Sequence, residues 1–413
     1  MLRGAGGCRR LASGRVPRRI VLWGATGYTG RLVTAALVEL GVSPLLAGRD
    51  ASRLGALASE HRGLDYALAD LARPESIGEL LGEGDVLVST VGPFTLFGRP
   101  ALRAAIRAGA HYLDSTGEPA FMRHVFGESS LEAARRGIVL LPAFGYDFVP
   151  GNVVAAVAAR SAGPRLASID VGYLLPRPLE PPVNGARRKA RPAGPMISTG
   201  TRASLLALSA DPHHLWAGGR LVLEPSARRL KAFGVSGQVR WASSIGGSEP
   251  LGLPSRYPGL ESLGVYMEFP GPAWLTRNVV LGLSQGTNAI GRFAPGRRVL
   301  EGLTKKLARR TGGGPSAETR QRSGTLVVAT CRGQRGELLS AARLEGPVNG
   351  YTLTGKLLAW GAAQLQAGTA RTSVAGALGP VDAFGLDECC EALCTMGVSV
   401  RGVEPEEAAV AGG

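Results

Sequence analysis

The 413-residue chain lacks several features that would assign it to other classes of protein. It has no run of about 18 uncharged apolar residues, so a membrane-spanning helix is not expected. Its five cysteines form no Cys-x-x-Cys pair, which favours reduced thiols in a reducing compartment. Aromatic residues make up only 6% of the chain and do not alternate with its basic residues. The spacing of the cysteines argues against a bound metal. The lack of aromatic residues among the basic ones argues against nucleic-acid binding.

Acidic residues are also absent from the first 19 residues, which contain six arginines and contribute to the net charge of +15. We interpret residues 1–17 as a basic, disordered arm, and a mitochondrial presequence or a misassigned start codon are the alternatives. The remaining chain is long enough for two to three domains, and the composition, 45% hydrophobic and 19% charged, is that of a folded protein.

Short apolar strands alternate with amphipathic helices from Ile20 to Pro142. This alternation predicts an α/β fold with a Rossmann-type parallel sheet and helices on both faces. From Ser168 onward the apolar runs alternate more with polar residues, which predicts a second, mixed α+β domain. Helical patterns return near the C-terminus, and we expect these helices to pack back on the first domain. The predicted segments are a nucleotide-binding domain over 18–163, a mixed substrate or dimerisation domain over 164–350, and C-terminal helices with a disordered tail over 351–413.

The most informative motif is a glycine-rich turn between the strand Ile20 to Trp23 and the helix Arg31 to Leu40. Glycines at this turn allow backbone N–H groups to approach a pyrophosphate, and the following helix directs its positive dipole end at the same charge. The turn therefore predicts dinucleotide binding. The cofactor-binding residues predicted within it are Gly24, Ala25, Thr26, Gly27, Tyr28, Thr29 and Gly30.

Residues after the next strands refine the cofactor prediction. Arg49 lies 19 residues after Gly30, where an arginine suits a 2′-phosphate and an acid would suit a ribose hydroxyl, so NADP is favoured over NAD. Asp50 follows directly, and we interpret it as a helix cap. Asp70 is a candidate acceptor for the adenine amino group, or a solvent-facing carboxylate. Thr90, Val91, Gly92 and Pro93 are predicted to allow close approach of the backbone to the cofactor, or to form only a turn.

Acid and base candidates lie on or directly after the fifth and sixth predicted strands. His111, Tyr112, Asp114 and Glu118 are among them, but none is decisive. We prefer Tyr146 and Asp147 as catalytic residues, because they lie in a glycine-flanked loop where the first domain passes into the second.

Two further clusters allow alternative interpretations. Asp211, His213 and His214 could suggest a metal site, but the adjacent Pro212 favours surface histidines in a loop. The stretch 292–322 carries nine basic residues against two glutamates. It is either a solvated helix face or a docking surface for an acidic carrier domain, a coenzyme A phosphate or an anionic membrane.

The glycine turn occurs in order with Ala47-Gly-Arg49, Val91-Gly-Pro-Phe94, Tyr112-Leu-Asp-Ser-Thr-Gly-Glu118 and Gly145-Tyr-Asp-Phe-Val-Pro150. Together these motifs resemble the saccharopine dehydrogenase-like oxidoreductase family, and most of all its trans-acting enoyl reductase subfamily. The resemblance covers about residues 18 to 175, with weaker similarity through Gly246-Gly-Ser-Glu249. It implies an NADP-dependent enzyme that transfers hydride from NADPH to an enoyl thioester, in partnership with a polyketide synthase that lacks its own reductase.

We therefore expect an oxidoreductase of polyketide or lipid biosynthesis in the cytoplasm, with a small-molecule or carrier-bound acyl substrate. Peripheral membrane contact and a homodimer are candidate associations. Two alternatives remain open. A saccharopine-type amino-acid dehydrogenase would need arginines in the crevice between the domains, for which Arg202 and Arg256 are candidates, and a non-catalytic NADP-binding protein would need no acid or base at all.

Overall fold

A computed structural model describes residues 18–176, 212–272, 313–370 and 375–408, with isolated positions between 274 and 302. Within these ranges the strands form two sheets. The predicted basic arm over 1–17, Arg202, Asp211 and most of the basic stretch before residue 313 lie outside the described residues.

The first sheet is parallel and has the order β15-β6-β5-β4-β1-β2-β3. The chain leaves β1 toward β2 and β3 on one side and returns to β4, β5 and β6 on the other, so the strand order reverses between β1 and β4. In an open parallel sheet a ligand binds at such a reversal, beyond the carboxyl ends of the strands. The strands are β1 (Ile20–Trp23), β2 (Leu45–Gly48), β3 (Tyr66–Leu68), β4 (Val86–Ser89), β5 (His111–Asp114), β6 (Val139–Leu141) and β15 (Gly376–Ala377).

Helices cover both faces of this sheet because its strands are apolar on both sides. In β1, Ile20 and Leu22 face one core, whereas Val21 and Trp23 face the other. The covering helices are α1 (Tyr28–Glu39), α2 (Ala51–Glu60), α3 (Glu75–Gly78), α4 (Phe94–Ala108), α5 (Pro119–His124) and α6 (Ser130–Arg135), and a single π-helical stretch over Val125–Ser129 joins the last two. The predicted doubly covered parallel sheet is confirmed.

The second sheet is mixed, as the alternating apolar pattern predicted. Its main path is β10-β11-β12-β7-β13-β14-β16, where β7 and β12 run parallel and the other neighbours run antiparallel. The β8–β9 hairpin joins at β12. The strands are β7 (Ser168–Leu174), β8 (His213–Ala217), β9 (Arg220–Glu224), β10 (Leu230–Val235), β11 (Gln238–Ile245), β12 (Ser262–Met267), β13 (Thr325–Arg332), β14 (Leu338–Gly346) and β16 (Ser399–Val403).

One buried helix, α7 (Val149–Ala162), connects the two sheets. It follows β6 in the chain but packs against β7, β13 and β14 of the second sheet. Gly163 ends it with a positive φ of 64° at the predicted domain boundary. Apolar residues of α7 and of both sheets belong to one continuous core.

Among the described residues, the remaining helices are short apart from one. They are α8 (Glu249–Gly252), α9 (Ala317–Gln321), α10 (Gly350–Ala367), α11 (Pro380–Phe384), α12 (Leu386–Thr395) and α13 (Pro405–Ala408). The long helix α10 packs against α1, β1, β4 and β5, as expected for a helix returning to the first domain. The chain after it divides between the sheets, which the sequence did not predict. β15 joins the first sheet, whereas α12 packs on α7 and β16 pairs with β14.

Candidate nucleotide site and inter-domain crevice

The glycine turn is built at the point where the order of the first sheet reverses. Gly24 leaves β1 with a φ of 87° and donates a hydrogen bond of 2.9 Å to the Ala47 carbonyl at the end of β2. Gly27 precedes α1, whose N-terminus receives no side-chain cap and has no acidic residue in its first turn. The first N–H groups of α1 therefore remain available for an anion.

Two of the three glycines leave no room for a side chain. A Cβ on Gly24 would come 2.7 Å from Thr90 Oγ1, and a Cβ on Gly30 would come 2.3 Å from the Gly24 carbonyl oxygen. The Thr90 hydroxyl donates hydrogen bonds of 3.2 Å to the carbonyls of Trp23 and Gly24, so it ties the end of β4 to the turn. Backbone atoms rather than side chains therefore form the surface of the turn, and this fits a dinucleotide site.

Tyr28 lies in the turn, but its hydroxyl contacts the second half of the chain. It donates a 2.6 Å hydrogen bond to the Pro315 carbonyl and accepts one of 3.0 Å from Arg320. Its ring meets the Tyr351 ring edge-on at a centroid distance of 5.2 Å. The described part of the glycine-rich stretch near residue 314 thus packs on the turn. Among the other predicted turn residues, Ala25 is buried and Thr26 and Thr29 are half-buried.

Arg49 stands exposed directly after β2 and makes no ion pair or hydrogen bond with the residues that the structure describes. Asp50 is the N-cap of α2, because its carboxylate accepts a 3.0 Å hydrogen bond from the Arg53 N–H. The cap interpretation is confirmed. Arg53 was not predicted as a site residue, yet its guanidinium donates a 3.1 Å hydrogen bond to the Thr26 carbonyl of the turn. The position of Arg53, about one helical turn after Arg49, is the feature of the sequence that could have identified it as a site residue.

Asp70 is exposed, and its carboxylate accepts a hydrogen bond from the Ala72 N–H. Val91 and Gly92 are half-buried, and Pro93 is the buried N-cap of α4. The two oxygens of Glu118 accept hydrogen bonds of 2.8 Å from the Phe94 and Thr95 N–H groups. Glu118 therefore caps α4 and fixes the backbone after β4, which accounts for a buried carboxylate without an acid or base role.

His111 and Asp114, which lie on β5, also have structural roles. His111 accepts a 3.0 Å hydrogen bond from the Val139 N–H, and burial lowers its pKa to about 4. Asp114 is fully buried and accepts hydrogen bonds from the Thr116 and Ala143 N–H groups, which join the loops after β5 and β6. Burial raises its pKa to about 7 against the lowering effect of these N–H groups.

Tyr146 and Asp147 lie in the loop between β6 and α7, half-buried at the boundary of the two domains. Thr354 of α10 accepts a 3.0 Å hydrogen bond from the Tyr146 N–H and fixes the loop. Burial raises the pKa of Asp147 to about 6, and burial followed by the charge of Asp147 raises the pKa of Tyr146. Because parallel strands lie about 4.8 Å apart, this loop is roughly 15 Å from the β1 turn along the same sheet edge.

Behind this loop, the second domain contributes two residues that the sequence did not single out as site residues, one on β7 and one on α8. The Tyr173 hydroxyl on β7 donates a 2.9 Å hydrogen bond to Glu249 Oε1 and accepts one of 3.0 Å from the Gly151 N–H. Glu249 is fully buried at the start of α8. Burial, assisted by the charge of Asp147, raises its pKa to about 8. The glycines of Gly246-Gly-Ser-Glu249 were the signal that could have identified it.

The interpretation of His213 and His214 as surface residues is wrong. Both are buried on β8, where His213 Nε2 lies 3.4 Å from Glu224 and His214 Nε2 lies 2.7 Å from the Gly247 carbonyl. Burial, with a smaller effect of the Arg123 charge, lowers the pKa of His214 to about 3. No group of three or more His, Cys, Asp or Glu side chains suited to a metal occurs among the described residues.

The fold and the turn define a two-domain protein whose first domain is of the pyridine-nucleotide-binding type. Residues 20–140 match the model of the saccharopine dehydrogenase NADP-binding domain. The first domain is therefore similar to the NADP-binding domain of saccharopine dehydrogenases. A putative trans-acting enoyl reductase of Mycobacterium tuberculosis is 36% identical over 140 residues, 32% of this chain and 33% of the relative. A saccharopine dehydrogenase-like oxidoreductase of Bos taurus is 28% identical over 164 residues, 35% of this chain and 38% of the relative.

A lipid droplet localized protein of Caenorhabditis elegans is 31% identical over 146 residues, 32% of this chain and 34% of the relative. The matched part thus spans about a third of the curated relatives. Among solved structures, saccharopine dehydrogenase (L-Glu forming) of Saccharomyces cerevisiae has a TM-score of 0.56 at 15% identity, covering 94% of this chain and 100% of that chain. The overall fold is therefore of the saccharopine dehydrogenase type.

None of the described helices has the length and apolar character needed to cross a membrane.

Proposed function

We propose that this protein is an NADP-dependent reductase of enoyl thioesters, of the trans-acting kind, in polyketide or lipid biosynthesis. The observation that carries the proposal is an uncapped glycine turn that shares one sheet edge with the half-buried loop holding Tyr146 and Asp147. The relatives named as trans-acting enoyl reductases support the substrate class over the first domain.

The residues present fit an NADP cofactor. Gly24 and Gly30 provide a surface that a Cβ would fill, and the N-terminus of α1 has no competing carboxylate. Arg49 is exposed beside this surface, whereas the acid next to it, Asp50, already serves as a helix cap. An arginine without a carboxylate partner favours a 2′-phosphate over a free ribose hydroxyl. The bound cofactor would supply the hydride.

The protein would then bind the thioester, exclude water and deliver one proton. Addition of hydride to the β-carbon moves the double-bond electrons toward the thioester oxygen, and the α-carbon must take a proton. Asp147, with a pKa raised to about 6, is the candidate acid in the crevice. Tyr146 and the backbone N–H groups of its loop are the candidate donors to the developing enolate oxygen.

We extend the proposal to the partner protein, the cellular location and the oligomeric state. A carrier-bound substrate implies an acyl carrier or polyketide synthase partner, which the basic stretch 292–322 would suit through charge. Trp274, Leu275 and Val279 are exposed before this stretch, and large apolar side chains next to basic residues favour peripheral contact with an anionic lipid surface. The protein would accordingly be cytoplasmic with a lipid-bound fraction, and a homodimer remains part of the proposal.

A saccharopine-type dehydrogenase is the second candidate, because the overall fold is of that type. It needs arginines that hold substrate carboxylates, but Arg256 is already paired with Asp382 at 2.7 Å. This pairing engages one of the two candidate arginines, and the other, Arg202, lies outside the described residues. A protein that binds NADP without turnover is the third candidate.

NADPH oxidation should be followed with free and carrier-bound enoyl thioesters, alongside a saccharopine assay in the reverse direction. Turnover only with the enoyl thioesters is expected. Turnover only with saccharopine would replace the substrate class, and tight NADPH binding without turnover of any substrate would exclude the reductase.

A further inference from the structure

The hairpin of β8 and β9 ends in a strand with one open edge. β9 (Arg220–Glu224) pairs with β8, and no other described strand pairs with it. The backbone N–H and C=O groups along its outer edge therefore have no strand partner among the described residues. Monomeric proteins usually protect such an edge with a charge, a proline or a bulge, but the centre of β9, Leu221-Val-Leu223, has none of these. The edge is thus suited to pairing with another strand.

Apolar side chains are exposed beside this edge. Leu221 is 36% exposed and Leu223 is 51% exposed. The register pairs Leu221 with Trp216 of β8, and Trp216 in turn with Leu263 of β12. Because paired residues share a sheet face, both leucines lie on the face where Leu263 belongs to the continuous core, yet they remain outside that core. A strand added at the edge would therefore remove apolar surface from water as well as pair the backbone groups.

The order of residues in β9 is complementary to itself. In an antiparallel pair of two copies centred on Val222, Leu221 of each copy lies opposite Leu223 of the other. Arg220 then lies opposite Glu224 of the other copy, so that opposite charges face each other at both ends. Arg220 is exposed and makes no ion pair with a described residue, so it is available for this contact. A shift of one residue would instead place a charged end of the strand opposite a leucine.

We propose that two copies of this protein associate through their β9 strands around a two-fold axis at Val222, so that the mixed sheet of one copy continues into that of the other. Each copy uses its open edge once, so this arrangement closes at a dimer. The inference deepens the homodimer of the proposed function by assigning its surface. It does not depend on the reductase chemistry.

The open backbone edge favours a second copy over a lipid surface. Exposed leucines would suit either, since both remove apolar surface from water. A lipid surface offers no matching row of hydrogen-bonding groups, and backbone N–H and C=O groups without partners are costly there. A second β9 strand supplies such a row.

Analytical ultracentrifugation over a concentration series tests the dimer without any substrate. The unmodified protein should sediment as a dimer, and Leu221→Lys and Leu223→Lys should each raise the dimer dissociation constant by at least about tenfold. Trp241→Lys is the matched control, because Trp241 is 49% exposed on β11, away from the open edge, and this variant should remain as dimeric as the unmodified protein. A monomer at every concentration, or a dimer that Trp241→Lys weakens as much as Leu223→Lys does, would overturn the inference.

A cysteine at the two-fold axis gives a positive signal that loss of folding cannot imitate. Directly opposed residues of an antiparallel pair have Cβ atoms about 4.5–5.5 Å apart, so a short thiol-specific cross-linker should join two copies of Val222→Cys. Val239→Cys, at an exposed position on β11, should cross-link no more than the unmodified protein, whose native cysteines set the background. A dimer in which Val222→Cys stays at background would contradict this surface. Because neither measurement uses turnover, a protein that dimerises as expected but reduces no enoyl thioester would disprove only the reductase function.

Discussion

The hydroxyl of Thr90 lies 3.2 Å from the Gly24 carbonyl oxygen, and a Cβ placed on Gly24 would come 2.7 Å from the same hydroxyl. The residue after β4 therefore leaves no room for a side chain at Gly24, the residue that follows β1. The close approach joins the two strands between which the sheet order reverses, and it places backbone atoms rather than side chains against a nucleotide.

Gly24→Ala should lower both stability and nucleotide affinity, because it combines a φ of 87° with the contact to Thr90. We expect a loss of about 1–3 kcal/mol in the free energy of unfolding and a loss of at least about tenfold in NADPH affinity. Urea unfolding and fluorescence titration measure the two effects.

Gly41→Ala is the matched control for this glycine. Gly41 has a similar φ of 74°, but a Cβ there would meet no atom within 4 Å. It should destabilise the fold without changing nucleotide affinity. Equal affinity losses in both variants would contradict a specific role for the Gly24 contact.

Arg49→Asp should reverse the cofactor preference. An exposed arginine that binds a 2′-phosphate contributes about 1.5–3 kcal/mol, so NADPH affinity should fall by about 10- to 100-fold while NADH affinity is kept or improved. Calorimetric titration with both cofactors gives the ratio. Arg53→Ala, which removes the hydrogen bond to the Thr26 carbonyl, should weaken both cofactors to a similar extent. An unchanged NADPH to NADH ratio in Arg49→Asp would refute the assignment of NADP.

The stability that Glu249 contributes should fall as pH rises from about 4.5 toward 8. Burial raises the pKa of Glu249 to about 8 in the folded state, so the folded protein binds more protons than the unfolded chain in this window. One such proton gives a slope of up to about 1.4 kcal/mol per pH unit. The contribution of Glu249 is therefore greatest below its unfolded pKa and is lost as pH rises through its folded pKa.

Glu249→Gln isolates this contribution, because Asp114 and Asp147 have pKa values raised in the same direction and remain in the variant. Urea unfolding across the pH window should show a shallower decline for Glu249→Gln than for the unmodified protein. Parallel curves would mean that Glu249 titrates normally in the folded state.

Tyr28→Phe should affect folding more than cofactor binding. The variant removes the hydroxyl that bonds Pro315 and Arg320, which costs about 1–2 kcal/mol of stability. NADPH affinity should change by less than about threefold, since that hydroxyl is directed at the second half of the chain. Tyr66→Phe, at an exposed site, should leave unfolding unchanged. A large loss of NADPH affinity in Tyr28→Phe would show that the hydroxyl contacts the cofactor.

The sequence by itself determined the elements whose cause is local. The Gly24 to Gly30 turn, the Asp50 cap and the apolar strands of the first sheet follow from glycine geometry, capping chemistry and periodicity, all of which act within about ten residues. The alternating runs from Ser168 likewise indicated the mixed second sheet.

Only the tertiary structure decided which distant groups meet. Tyr173 and Glu249 are 76 residues apart in sequence. They meet because β7, which pairs with β12, and α8 both pack against helix α7. The Tyr28 hydroxyl donates a hydrogen bond to the Pro315 carbonyl, 287 residues away in sequence. His213 and His214 are buried because neighbouring elements cover β8. Hydrogen bonds and burial of this kind depend on strand pairing between remote segments, and no local pattern of residue types records that pairing.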